Sequence, residues 1–136
     1  MGFDQYHEPP GELPASTRTF ARICASLTEE AEAIGWYEQR MSVETDRSAT
    51  AIMRDAQGEE FKHFAMNLEF LLRRTPRWRE IARGVLFQDG DIVEHGEEAE
   101  AESESESSDA TEPGARAFGP DGSGSLGIGS LRGVGR

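Results

Sequence analysis

Glu60 and His63 form the only Glu-x-x-His pair in the 136-residue chain. Three residues apart on a helix, a carboxylate and an imidazole share a face and can converge on one point. Their stripe, Met53, Ala56, Glu60, His63, Asn67 and Phe70, advances by alternating threes and fours. A second stripe, Ile23, Leu27, Glu30 and Ile34, sets another carboxylate on an apolar face. Ionised groups placed against a core are costly unless they are paired or hold a cation. Each residue alone also fits a carboxylate turned out to water, or a plain Glu–His hydrogen bond. All three together favour metal as strongly, because inward carboxylates and histidine are recurring ligands of iron in helical bundles.

Counting donors sharpens this reading. A carboxylate-bridged di-iron site in a four-helix bundle takes two helices with a single Glu and two with Glu-x-x-His. This chain has one of each, so it supplies half a site, and a copy related by a two-fold axis would complete it. Metal binding and oligomerisation are therefore one expectation. Glu29 and Glu32 flank Glu30 but point another way around the helix. They read either as a solvated acidic face or as a second, weaker, oxygen-only site that gathers hard cations on their way in, calcium being a candidate.

The elements that must carry these residues are helices. Ser16 or Thr17 can cap a helix running to about Arg40, with Phe20, Ile23, Leu27, Ile34 and Trp36/Tyr37 at helical spacing. Thr45 or Asp46 can cap a second over about 46–73, and so short a connection makes the two antiparallel neighbours. Thr75-Pro76 starts a third, shorter helix through Trp78, Ile81, Val85 and Leu86. No strand of consequence is expected. Residues 1–14 read as a flexible leader, and 15–92 as the helical domain.

Charge divides the chain. Residues 1–90 carry 15 Asp/Glu against 11 Lys/Arg, whereas 91–136 carry 11 against 3, within a net charge of −12. Residues 93–124, acidic and then rich in Gly and Ser, are expected to be a disordered linker. Leu126, Ile128 and Leu131 then return as regularly placed aliphatics in the final segment, 125–136. A foldable part of about 90 residues is marginal alone and gains from a partner or a metal. No basic patch suits nucleic acid. No apolar run of about 18 residues suits a membrane. The single Cys24 excludes an internal disulfide and fits a reducing, cytoplasmic setting.

These residues, in this order, resemble the encapsulated ferritin-like proteins of bacterial encapsulin compartments. The resemblance is carried by His7-Glu8-Pro9, Glu29-Glu30-x-Glu32, Trp36-Tyr37-x-Gln39-Arg40, Glu59-Glu60-x-x-His63, Met66-x-Leu68-Glu69 and Leu86-Phe87 before Ile92. The terminal Ser125-Leu-Gly-Ile-Gly-Ser-Leu-Arg132 looks like the peptide that loads cargo into encapsulin shells. The resemblance implies an all-α fold in which an antiparallel hairpin plus a short third helix completes a ferritin-like four-helix bundle by dimerisation. It further implies a decameric ring and a di-iron ferroxidase centre at a two-fold interface. The ligands would be Glu30, Glu60 and His63 from each of two chains, with Tyr37 and Trp36 near the iron and Glu29 and Glu32 as the metal-intake site. Leu126, Ile128 and Leu131 would dock on the encapsulin shell, so that the chain works inside that compartment in the cytoplasm. This chain departs from the family pattern at Gly35 and at Ala56-Gln57-Gly58.

The activity so implied is oxidation of Fe(II) to Fe(III) with O₂ as acceptor, for iron storage and detoxification. Each iron yields one electron, so a close pair can reduce O₂ to the peroxide level. Two rivals stay open from sequence. One is a non-enzymatic helical cargo or adaptor whose inward polar residues set pairing register. The other is a di-metal oxidase or peroxidase of the rubrerythrin type.

Overall fold

The computed structural model describes residues 6–109, and among them every regular element is a helix. The order is α1 (Ala15–Val43), α2 (Arg47–Arg74), α3 (Pro76–Val85) and α4 (Ile92–Asp109). α1 packs along α2 and α3 along α4, and a short seam joins α2 to α3.

The helix ends follow from local chemistry. Neither Ser16 nor Thr17 caps α1, because the helix has already begun. Pro14 holds the entry conformation and its carbonyl accepts the Arg18 N–H at 3.0 Å. At the other end the Glu44 carboxylate accepts the backbone N–H groups of Thr45 and Asp46, each at 2.8 Å. Asp46 in turn accepts the Ala49 N–H at 2.8 Å and so caps α2. This chain of carboxylate-to-backbone bonds turns the chain through three residues and makes α1 and α2 antiparallel. Pro76 at the start of α3 has no N–H to lose and ends α2 at Thr75.

The fourth helix is the main departure from expectation. Residues 93–109 were assigned by composition to a disordered linker, yet they are helical within α4. The Asp91 carboxylate accepts the N–H groups of Val93 at 2.8 Å and Glu94 at 3.0 Å, an N-terminal cap of the usual kind. Glutamate and alanine are good helix formers, which the acidity of the run conceals. Ala99 and Ser103, one turn apart, are buried on α3. A Cβ at Gly84 would lie 2.5 Å from the Ala99 Cβ, so glycine is what lets the two helices meet. Arg77 adds an ion pair to Glu104 at 3.1 Å. His95 donates through Nε2 to the Asp89 carbonyl at 2.8 Å across the α3–α4 turn. Residues 110–136 lie outside the described residues, including the rest of the linker and Leu126, Ile128 and Leu131.

Apolar burial is sparse. Among the described residues only Leu71, Leu72 and Ala99 are buried hydrophobic side chains. Trp36, Ile52, Phe61 and Met66 all stay more than half exposed. Among the described residues no helix is long and apolar enough to cross a membrane.

Candidate metal centre

Glu30 comes from the middle of α1, and Glu60 and His63 from the middle of α2. The antiparallel pairing brings them together: one ligand atom from each lies within 4.8 Å of the other two. No other group of three or more His, Cys, Asp or Glu donors closes in this way among the described residues. His63 Nδ1 is 3.2 Å from Glu60 Oε2, and the side chains of Glu60 and His63 remain 22% and 44% exposed. The donors therefore sit on an open helix face rather than in an enclosed pocket.

Electrostatics bind the three into one unit. The Glu60 carboxyl beside Glu30 pushes the Glu30 carboxyl above the ordinary glutamate range, and partial burial adds to that. Glu60 is held below its ordinary range by hydrogen bonds from Glu30 and His63. Two carboxyls brought this close disfavour simultaneous ionisation, and a bound cation would relieve that repulsion. Two hard oxygen donors and one imidazole are a donor set that suits iron in either common oxidation state. These residues fit a metal.

Beside the ligands lies a shallow cavity of about 290 Å³, lined by Ser26, Glu30, His63, Met66 and Asn67. Ser26 is one turn before Glu30 and Asn67 one turn after His63, a spacing visible in the sequence though not exploited for Ser26. Tyr37 is half-buried two turns along α1 from Glu30, its ring 5.5 Å from the Arg40 guanidinium carbon. Trp36 is 51% exposed. Glu29 and Glu32 are exposed on α1 and do not join the Glu30 group. Lys62 pairs with Glu59 on the outer face and does not reach the ligands. Burial pushes the Cys24 thiol up, away from reactive thiolate character.

Sequence reasoning passed over Gln57 except as a departure from a family pattern. It is a buried polar residue of α2, and its Nε2 donates to the Ile34 carbonyl and to Glu38 Oε2, both at 3.1 Å. Its position three residues before Glu60 was the available signal.

Comparison with known proteins points to one family. The EncFtn-like family profile matches residues 5–89. A "Ferritin-like protein" of Thermotoga maritima is 45% identical over 95 residues, covering 70% of this chain and 83% of its own. An "Encapsulated ferritin-like protein" of Rhodospirillum rubrum is 42% identical over 127 residues, covering 93% of this chain and 87% of its own. Among solved structures, protein ne0167 from Nitrosomonas europaea superposes with a TM-score of 0.64 at 37% identity, over 65% of this chain and 98% of that one. By the extent of the profile match and by these identities, the chain belongs to the EncFtn-like family.

Proposed function

We propose that this chain is a ferroxidase that takes Fe(II) as substrate at a centre shared by two copies, and that it works as cargo of an encapsulin shell. The observation that carries the reading is the convergence of Glu30, Glu60 and His63. Three donors on an exposed face are too few to hold an iron pair. A second copy apposed on that face supplies the other three and covers apolar side chains such as Phe61 and Met66 that one chain leaves in water. Dimerisation thus completes both the ligand set and the bundle, and pairs of chains assemble further into a ring.

Each residue has a task in the reaction. Glu30, its carboxyl held above the ordinary range by the neighbouring Glu60, offers its oxygens to Fe(II), and a cation there favours its ionised form. Glu60, held below its ordinary range by Glu30 and His63, would offer carboxylate oxygens to the shared centre. His63, held by its contact with Glu60, offers an imidazole nitrogen. Two Fe(II) together deliver two electrons to O₂, and with two protons the products are two Fe(III) and hydrogen peroxide. Tyr37, two turns along α1 from Glu30, is the aromatic that the family likeness assigns to the vicinity of the iron. Glu29 and Glu32 gather incoming cations at the outer carboxylate site, whose oxygen donors suit hard cations such as calcium.

The shell association rests on the family and on the name of the Rhodospirillum rubrum relative. Leu126, Ile128 and Leu131 seat in apolar pockets on the shell, with the preceding glycines allowing close approach. The tether keeps the catalytic assembly near the wall at high effective concentration.

The test is aerobic Fe(II) oxidation by the full chain and by Glu30→Ala, Glu60→Ala and His63→Ala. Each variant is expected to fall to the rate of Fe(II) in buffer. Wild-type rates in any two would refute the site. An assembled wild type that consumes no oxygen with Fe(II) would favour the adaptor reading.

A further inference from the structure

We propose that Gln57 is a positioning residue that fixes the register of α1 on α2 at the level of the metal centre, a role that rests on the function proposed above. Its two amide hydrogens cross between the helices, one to the Ile34 carbonyl and one to Glu38 Oε2. Ile34 is one turn beyond Glu30 on α1, and Gln57 is three residues before Glu60 on α2. In an antiparallel pair, moving up one helix means moving down the other. The Gln57 crosslink and the Glu30–Glu60 contact are therefore successive rungs on one seam.

Among the described residues, Gln57 alone hydrogen-bonds from one of these two helices to the backbone of the other. α1 has no buried residue at all, and the buried leucines, Leu71 and Leu72, lie at the far end of α2. Gln57 is the buried side chain of α2 closest in sequence to the ligands, 7% exposed. Apolar contacts between two smooth helices tolerate sliding, whereas a hydrogen bond to a backbone carbonyl reads axial position directly. A slip of one residue moves α1 by about 1.5 Å and turns it by about 100°, which carries Glu30 off Glu60 and His63.

The amide is also suited to its electrostatic setting. It provides two donors and no charge. A lysine there would place a cation one turn from a site built for cations. A glutamate would face the Glu38 carboxylate. Gln57 holds the helices without adding a charge of either sign beside the metal site.

The readout is Co(II) binding to the full chain, followed by its visible absorption, with helicity checked by circular dichroism. Gln57→Met keeps the volume and loses both donors, and about tenfold weaker Co(II) binding with an altered band is expected, the lower end for residues that support ligands from outside. Glu38→Ala removes one acceptor at an exposed position and leaves the packing intact, so weaker Co(II) binding is expected, by less than in Gln57→Met. It carries the test if Gln57→Met does not fold. Wild-type Co(II) affinity and spectrum in the folded variants, even with a lowered Tm, would overturn the role of Gln57. If instead the wild type binds Co(II) no better than Glu60→Ala, the metal centre itself fails and this proposal falls with it.

Discussion

Glu30 and Glu60 face each other across the α1–α2 seam with their titrations pulled apart, Glu30 upward and Glu60 downward. In the metal-free hairpin this pairing favours the protonated form of Glu30, which a bound cation would oppose. This follows from placement alone: two carboxyls held together cannot both ionise freely.

That pairing ties stability to pH. Because the folded Glu30 carboxyl titrates above its unfolded value, its contribution to stability is complete below the ordinary glutamate range. It is lost as pH rises through the folded value. Glu30→Gln imitates the protonated form at every pH. The metal-free variant is expected to melt above the wild type at neutral pH and together with it near about pH 4. It should also lose Fe(II) oxidation. Thermal melts of both proteins in chelator across that range check the sign, and a variant less stable at neutral pH would contradict it.

α4 should depend on Asp91. Hydrogen bonds from the Glu94 and Val93 N–H groups hold the Asp91 carboxyl below its ordinary range. A depressed carboxyl contributes stability above its unfolded value and loses it as pH falls through the folded one. Asp91→Ala is expected to speed amide exchange at Val93 and Glu94 at neutral pH, while exchange in α1 and α2 is unchanged. Unaltered protection at those two amides would show that the cap is idle.

Gly84 should tolerate no side chain. Because a Cβ there would sit 2.5 Å from the Ala99 Cβ, Gly84→Ala must push α4 off α3. A cost of about 1–3 kcal/mol is expected, the usual range for overpacking. Ferroxidase activity should survive, since α3 and α4 hold none of Glu30, Glu60 and His63. A denaturant melt and an oxygen-uptake assay on the same preparation separate the two effects.

The terminal segment should be dispensable for chemistry. Deleting Ser125–Arg136 is expected to leave oxygen uptake at the wild-type rate and to abolish co-purification with a co-expressed encapsulin shell. Normal loading of the truncated chain would remove the docking role of Leu126, Ile128 and Leu131.

Most of the helical layout was legible because periodic apolar residues and strong breakers coincide. Asp46 and Pro76 act where a sequence reader would place them. Glu30, Glu60 and His63 were legible because three polar residues interrupt apolar stripes at helical steps, and the fold brings them together. α4 was missed because an acidic, serine-rich run looks like linker. Its stability comes from Asp91 and from Gly84 meeting Ala99, a long-range contact that composition does not reveal. Gln57 was missed for a related reason: an amide on a helix has no visible role until the carbonyl it reaches on the other helix is known.

The central claim is that one chain holds only half of a working site. Native mass spectrometry of the full chain, with and without Fe(II) under anaerobic conditions, measures this most directly. Iron is expected only on species with an even number of chains, two irons to each pair, and on none for Glu60→Ala. A monomer that takes up the same iron and then oxidises it in air at the full rate would contradict the account.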